Sequence, residues 1–219
     1  MDVIFIPAKI KINELKNFDK LLKILPKKIG IVCLLQYIDV TNKIILELKK
    51  LGYETLYSNS LFILGCNVKN ADLPADIILL IGDGKFHALE IVRSLKKDVI
   101  IYNPISGEIN TISKENYKKY HTNILYLIEK LKNSNNIGIA ISIKPGQYDQ
   151  NSLKWILEKL KDKNLYLFIG DNIEMDKLIN FPYIEFWIII ACPRIIDDIL
   201  ERKINAITID LIKKDMKIL

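Results

Sequence analysis

Residues 77–87 read IILLIGDGKFH, in which five apolar residues lead directly into a glycine-rich turn. A continuous apolar run of this length is typical of a strand buried on both faces, as in a parallel sheet covered by helices. The amphipathic stretch 86–95 begins within the turn motif and predicts a helix. The segment therefore predicts one strand–turn–helix step of a parallel α/β fold.

The same alternation of strand and helix extends outward from this step. Other apolar runs predict strands at 3–7, 29–35, 54–57, 99–102, 137–143, 165–169, 186–190 and 206–209. Amphipathic stretches predict further helices at 13–24, 40–51, 148–160 and 195–202. Such alternation is typical of βαβ units with right-handed crossovers. We therefore expect two Rossmann-like, three-layer α/β domains whose parallel sheets face a shared cleft.

The longest helical pattern is expected to mark the boundary between these domains. It spans 114–132 with apolar residues at i, i+3 and i+4 spacing, and it ends in the polar stretch KNSNN. The expected domains are 1–112 and 136–219, with a connecting helix and boundary at 113–135.

Length and composition limit the classes of protein that fit the chain. Its 219 residues, half of them apolar, suffice for two small domains. Apolar runs such as 186–192 are far shorter than the ~20 residues of a bilayer span, and the first residues do not resemble a signal peptide. Three cysteines in such a protein favour the reducing cytoplasm. Lysine supplies nearly all of the net charge of +6, so a nucleic-acid partner is not expected.

Scarce polar residues and glycines lie where the predicted strands end. They are Gln36; then Gly82, Asp83, Gly84, Lys85 and His87; then Lys144, Gly146 and Gln147; and finally Cys192 and Arg194. Ligands of parallel α/β sheets bind at the carboxyl ends of the strands, so these groups are expected to converge on one cleft. Taken alone, the GDG triplet is equally typical of a tight turn, and a lone histidine often packs locally.

The three cysteines differ in their sequence surroundings. Cys33 lies inside an apolar strand and is expected to be a small buried hydrophobe. Cys66 follows a glycine in a loop, and Cys192 precedes Pro193, which ends its strand. No CxxC pair or Cys/His array is present, so a closed zinc site is not expected. Cys66 and Cys192 suit a metal at a cleft, and thiolates are the usual ligands of iron–sulfur clusters.

The sequence resembles the archaeal and eukaryotic diphthamide synthase family over nearly its whole length, to about Asp198. The segments that carry the resemblance are LGCN at 64–67, GDGKFH at 82–87, NPISGEI at 103–109, KPGQ at 144–147, NFP at 180–182 and ACPRIIDD at 191–198. Quinolinate synthase has a related plan of three domains and three cysteines but lacks these motifs, so it fits less well.

The resemblance implies a radical transferase. Family members have three similar α/β domains, each giving one cysteine to a 4Fe–4S cluster whose unique iron binds S-adenosylmethionine. Its cleavage releases a 3-amino-3-carboxypropyl radical, which adds to a histidine of translation elongation factor 2. This chain resembles the second and third domains only, with Cys66 and Cys192 at the matching ligand positions. Cys33 matches no ligand of the family.

If this chemistry is retained, the residue types suggest roles for the strand-end groups. Asp83, between two glycines, suits the amino group or a ribose hydroxyl of S-adenosylmethionine. Arg194 and His87 are the candidate catalytic residues. The guanidinium of Arg194 suits a carboxylate or the negative charge of the cluster. The remaining candidates for cofactor binding are Gln36, Gly82, Gly84, Lys144, Gly146 and Gln147.

The missing first domain leaves three hypotheses open. In the first, the chain is an enzyme subunit, and a second copy or another chain supplies the third cysteine. In the second, it is an accessory protein that binds the cluster or S-adenosylmethionine without catalysis of its own. In the third, it is the scaffold of a different radical reaction. A cluster with one open iron needs three protein thiolates. We therefore expect an oligomer, most simply a homodimer, that buries an apolar face.

Overall fold

The computed structural model of the chain describes residues 4, 6 and 8–215, with the backbone alone at 116, 119 and 215. The strand expected at 3–7 rests on residues 3, 5 and 7, which lie outside the described part. Contacts divide the chain into two compact units, Met1–Lys118 and Lys119–Leu219. None of the described helices is long and apolar enough to cross a membrane.

The first unit contains one five-stranded sheet. Its elements are α1 (Phe18–Leu22), β1 (Lys28–Cys33), α2 (Ile38–Lys50), β2 (Glu54–Leu56), β3 (Ile77–Ile81), α3 (Phe86–Leu95), β4 (Asp98–Tyr102) and β5 (Ile109–Ile112). The strand order is β2-β1-β3-β4-β5. The inner strands β1 and β3 are buried along almost their whole length, as their continuous apolar sequences require.

The second unit contains a four-stranded sheet whose strands are all parallel. Helix α4 (Lys114–Asn133) leads into it and crosses the boundary between the units. The further elements are β6 (Asn136–Ser142), α5 (Gln150–Lys159), β7 (Asn164–Gly170), α6 (Met175–Leu178), β8 (Phe186–Ile190), α7 (Ile195–Arg202), β9 (Ala206–Thr208) and α8 (Ile209–Asp215). The strand order is β7-β6-β8-β9, and all five residues of β8 are buried.

The expectation of an α/β fold with parallel sheets is confirmed, but three local expectations were wrong. Strand β5, which the sequence pattern did not indicate, pairs antiparallel with β4. The helix expected at 13–24 is only Phe18–Leu22, because Asn17 adopts the left-handed conformation (φ 57°), which an α-helix does not accommodate. Strand β7 is largely exposed at one edge of its sheet, whereas the other edge strand, β9, is buried and contacts α7 and α8.

In both sheets the order of the strands reverses at the first strand of the unit. In each unit the first strand lies between the second and the third, as β1 lies between β2 and β3, and β6 between β7 and β8. In open α/β sheets, ligands bind beyond the carboxyl ends of the strands at such a reversal of strand order. The carboxyl ends of β1 and β3, and of β6 and β8, are therefore where ligand-binding groups are expected.

Candidate functional site

Cys66 lies at the tip of a two-residue hairpin turn. The backbone of Leu64 donates a hydrogen bond to the Asn67 carbonyl at 3.1 Å, and Asn67 N–H donates to the Leu64 carbonyl at 2.9 Å. These bonds close the chain around Gly65 and Cys66, and the thiol is exposed. A thiol on a closed, exposed turn is available to an external ligand.

The chain before the hairpin is attached to the carboxyl end of β1. Cys33 N–H donates to the Leu61 carbonyl at 2.9 Å, and Ile63 N–H donates to the Cys33 carbonyl at 2.9 Å. Leu61 and Ile63 are both buried. The side-chain amide of Asn70 donates to the carbonyl of Phe62 at 2.8 Å from the other side. The segment that leads into the hairpin is thereby held at the carboxyl end of β1.

The LGCN and GDGKFH motifs meet through Gly65 and Phe86. A Cβ placed on Gly65 would lie 2.0 Å from Cε1 of the Phe86 ring, and the three heavy atoms nearest to it all belong to that ring. Only a glycine permits this approach without moving the ring. Phe86 is the first residue of α3, so the Cys66 turn rests on the start of the helix that follows β3.

The GDGKFH turn is anchored at its first residue and exposed at its next ones. Gly82 N–H donates to the Tyr102 carbonyl at 3.0 Å, which extends the pairing of β3 with β4. A Cβ on Gly82 would lie 2.7 Å from Cγ of Leu34, so this glycine packs against the chain that leaves β1. Asp83 and Gly84 are exposed, and Gly84 has the left-handed φ of 72°.

Gln36 and His87 lie beside this turn. Gln36 is half-buried in a 3-10 turn after β1, and its carbonyl accepts a hydrogen bond from Ile10 N–H at 2.9 Å. Burial raises the pKa of the neighbouring Tyr37, and the negative charge of Asp83 raises it further, which places the Asp83 carboxylate near that phenol. The His87 ring packs edge-on against Phe86, with ring centroids 5.4 Å apart.

In the second unit, KPGQ forms a tight turn after β6. Gln147 N–H donates to the Lys144 carbonyl at 3.0 Å, and Gly146 has a φ of 77°. Proline in the second position and a left-handed glycine in the third are the pattern of a type II turn. The Lys144 ammonium donates to the side-chain carbonyl of Asn172, and Lys144 N–H donates to Ser142 Oγ.

Cys192 lies at the carboxyl end of β8, and its thiol is exposed. Its carbonyl accepts a hydrogen bond from Ile195 N–H at 3.1 Å, which joins the strand end to the start of α7. Arg194 precedes that helix and is exposed. Burial raises the pKa of the Asp197 carboxyl group while the charge of Arg194 lowers it, so the guanidinium lies close to this carboxylate.

Cys33 has different surroundings from the other two cysteines. Its side chain is fully buried in β1. Burial raises the pKa of the thiol to about 11, an effect that a hydrogen bond with Thr41 partly opposes. A buried thiol that stays protonated at neutral pH is a poor metal ligand, because the thiolate is the ligating form.

The predicted site residues form two groups, one at the carboxyl edge of each sheet. The first unit holds Gln36, Cys66, Gly82, Asp83, Gly84 and His87, and the second holds Lys144, Gly146, Gln147, Cys192 and Arg194. Within the described residues, no group of three or more His, Cys, Asp or Glu side chains is placed to hold a metal ion. The donor chemistry nevertheless fits an iron–sulfur cluster, since each unit presents one exposed thiol on a structured turn.

Sequence reasoning missed the residues that support the two glycines of the first group. Phe86 lies within a motif that the sequence singled out, but nothing in the local pattern indicated that its ring contacts Gly65. Leu34 was assigned to a strand, although its role is to pack against Gly82. The available signal in the sequence was the pair of glycines, Gly65 and Gly82, each directly before a candidate site residue.

Comparisons with known proteins bear on both groups. The sequence model of the diphthamide synthesis protein family matches residues 1–201. The 2-(3-amino-3-carboxypropyl)histidine synthase of Methanocaldococcus jannaschii is 34% identical over 191 residues, which cover 85% of this chain and 51% of that protein. The chain therefore spans about half the length of this relative.

Solved structures show the same relationship. The crystal structure of Dph2 from Pyrococcus horikoshii matches with a TM-score of 0.75 and 25% identity over 90% of this chain and 59% of that one. A second crystal structure of that protein, with a 4Fe–4S cluster, matches with a TM-score of 0.74. The fold and the motifs thus point to the same relatives.

Proposed function

We propose that this chain, which belongs to the diphthamide synthesis protein family, is a subunit of a 3-amino-3-carboxypropyl transferase that depends on a 4Fe–4S cluster and S-adenosylmethionine. Its substrate in this proposal is a histidine of translation elongation factor 2. The observation that carries the proposal is the exposure of Cys66 and Cys192 on structured turns at strand ends, against the complete burial of Cys33. The free thiols also suit a protein of the reducing cytoplasm.

Cys66 and Cys192 are the residues that would hold the cluster. Both are free, and each follows a backbone arrangement that hydrogen bonds fix independently of any ligand. When bound, a reduced cluster would supply the electron for cleavage of the carbon–sulfur bond of S-adenosylmethionine. In this proposal the two Rossmann-like domains are 1–112 and 136–219, and each would present one thiol at the carboxyl ends of its strands.

The remaining groups are suited to binding the methionine portion. The exposed Asp83 carboxylate lies between two glycines, so backbone and carboxylate are both accessible to an amino group or a ribose hydroxyl. The guanidinium of Arg194 is exposed and suits bidentate binding of a carboxylate. The KPGQ turn adds the Lys144 ammonium on the same edge of the second sheet as Cys192. His87 and Gln36 are the remaining polar candidates of the first unit.

The count of ligands determines the assembly in this proposal. Two exposed thiols are one fewer than a cluster with an open iron requires. The third thiolate comes from a second copy or from a separate chain that carries the first domain of the family. The 41% of the Pyrococcus horikoshii chain that this one does not match is consistent with the second source.

Anaerobic reconstitution with iron and sulfide tests the proposal. The wild-type chain, alone or mixed with a chain that carries the first domain of the family, should take up a cluster. Cys66→Ala and Cys192→Ala should each lose most of the iron, and Cys33→Ala should retain it. Light scattering after size exclusion, with and without the cluster, should show a dimer. Equal loss of iron in all three variants would make Cys33 a ligand and would contradict the assignment.

A second candidate function follows from the two-thiol count. An accessory protein that binds S-adenosylmethionine without catalysis of its own would need no complete set of cluster ligands within the described residues. A folded chain that remains colourless and free of iron after reconstitution, yet binds S-adenosylmethionine in calorimetry, would favour this alternative.

A further inference from the structure

We propose that Phe86 is a positioning residue for the Cys66 thiol, with its ring acting as the support on which the hairpin turn rests. The proposal rests on the proposed function only in taking Cys66 as a ligand. It begins from the contact between Gly65 and the ring, where an added Cβ would lie 2.0, 2.8 and 3.0 Å from three ring carbons. The turn and the ring are therefore in close packing contact, with no room for a side chain between them.

The contact between Gly65 and the Phe86 ring constrains the hairpin in a way that the hydrogen bonds of the hairpin do not. The bonds between Leu64 and Asn67 close the turn, but they do not fix its direction relative to the sheet. The side chains of Leu64, Cys66 and Asn67 are all exposed, so they pack little against the rest of the unit. Gly65 is the half-buried residue of the turn, and its close neighbour is the Phe86 ring.

Phe86 is half-buried and belongs to a helix that packs against the sheet. It begins α3, whose Ala88, Ile91 and Val92 are buried. Its ring also packs edge-on against His87, at an interplanar angle of 77°. A ring on a packed helix is a better support than an exposed loop, because its own position varies little.

The contact therefore couples the position of the LGCN turn to that of the GDGKFH turn. Phe86 follows directly after the turn that carries Asp83, so one short segment sets both the carboxylate and the direction of the thiol. A ligand thiol needs to be held within about 0.5 Å of its productive position by its supporting contacts. Removing the ring should leave Cys66 chemically intact but free to move.

Mobility of a nitroxide spin label on Cys66 tests the proposal without any cluster. The labelled chain carries Cys192→Ser, and the buried Cys33 is not expected to react. Phe86→Ala should sharpen the spectrum to that of a mobile label, whereas Phe86→Leu should restore much of the restriction. The matched control is a label on Cys192 in a Cys66→Ser chain, whose spectrum Phe86→Ala should leave unchanged.

A double-mutant cycle supplies a second measurement. Gly65→Ala should lower the midpoint of urea unfolding in the wild-type chain, because its new Cβ collides with the ring. The same substitution should cost less in the Phe86→Ala chain, where the collision is gone. Additive effects, or a Cys66 label whose mobility does not change in Phe86→Ala, would overturn the proposal.

The two proposals fail in distinguishable ways. If the wild-type chain takes up no iron, either alone or mixed with a chain that carries the first domain of the family, the proposed function fails, while a mobile Cys66 label in Phe86→Ala would still establish the positioning role. If iron binds to the wild-type chain and equally to Phe86→Ala with an unchanged label spectrum, Phe86 has no positioning role and the proposed function stands.

Discussion

The turns that carry Cys66 and Cys192 present the same chemical group by different means. Cys192 lies two residues after β8, a strand that is buried throughout and paired on both sides. Cys66 lies on a hairpin outside the regular strands, attached to β1 by a short segment and resting on Phe86. The first arrangement depends on the strand that precedes it, whereas the second depends on residues distant in sequence. A thiol can thus be placed by local structure or by tertiary packing.

The largest expected difference between these regions concerns stability. Ile190, at the end of β8, is 1% exposed, and Ile190→Ala should cost about 3–4 kcal/mol of unfolding free energy. Ile63, just before the hairpin, is 2% exposed, but its segment is hydrogen-bonded to β1 on one side only. Ile63→Ala should therefore cost about 2 kcal/mol, because the surrounding residues can move into the space that the side chain leaves.

Urea unfolding followed by two probes measures this difference. Both tryptophans, Trp155 and Trp187, lie in the second unit, so their fluorescence reports on that unit, whereas circular dichroism reports on both. Ile190→Ala should shift the fluorescence transition and Ile63→Ala should shift it little. Equal fluorescence shifts would show that the two units unfold together.

Alkaline pH separates Cys33 from the exposed cysteines. Burial raises the pKa of Cys33 from 9.0 to about 11, so the folded state favours the neutral thiol. The resulting contribution to stability is complete below pH 9 and is lost as the pH rises through 11. The urea midpoint of the wild-type chain should fall over this interval, and it should fall less in Cys33→Ala.

The measurement needs a correction for another buried group and a control variant. Tyr102, with its pKa raised to about 12 by burial, adds to the alkaline loss in both proteins, so a residual fall is expected. Cys66→Ala, which removes an exposed thiol, should follow the wild-type curve. Identical curves for Cys33→Ala and the wild type would contradict the assignment of the raised pKa.

The glycines of the two turns should show smaller effects. Gly84 and Gly146 have φ values of 72° and 77°, and a Cβ on either would meet nothing within 4 Å. Alanine at either position should therefore cost about 1–2 kcal/mol through backbone conformation alone. Gly52, with a φ of 78° and equally open surroundings, is the matched control outside the site. Thermal unfolding should give similar losses for all three, and only Gly84→Ala and Gly146→Ala should weaken binding of S-adenosylmethionine.

The smallest expected effect is at the start of α5, just after the KPGQ turn. The Asp149 carboxylate accepts a hydrogen bond from Ser152 N–H at 3.0 Å and caps the helix. Asp149→Ala should cost about 1 kcal/mol. Hydrogen bonds with Ser152 lower the pKa of Asp149, so its contribution is present above the ordinary value of 3.8 and is lost as the pH falls below it.

Acid titration of stability checks this cap. Asp149→Asn retains an acceptor at the cap and should keep most of the stability at neutral pH while losing part of the acid dependence. An Asp149→Asn chain as unstable as Asp149→Ala at pH 7 would show that the negative charge, and not the hydrogen bond, supports the helix.

Several elements were predictable because their signals are local. The strand Ile77–Ile81 and the helices Phe86–Leu95 and Ile195–Arg202 have the bounds that the apolar pattern predicted. Their residues are buried or exposed with a period that the chain itself carries. The helix expected at 13–24 failed because one left-handed residue, Asn17, is not visible in apolar periodicity.

The candidate site was predictable in part for the same reason. Strand ends are recognisable in sequence, so Cys192 and the GDGKFH and KPGQ turns could be assigned to the edges of sheets. The support of Cys66 by Phe86 was not predictable, because 21 positions separate Gly65 from that ring and no local period links them. The motif letters indicated that both segments matter, not that they touch.

By itself the sequence determined the alternation of strands and helices, the ends of the inner strands and the membership of the family, since each depends on residue order and residue type. Tertiary structure alone decided that β5 runs antiparallel, that β7 is an exposed edge and that the Cys66 turn rests on Phe86. The physical reason is that local patterns depend on neighbours along the chain. Strand direction, edge exposure and close packing depend on neighbours across the sheet, which exist only after folding.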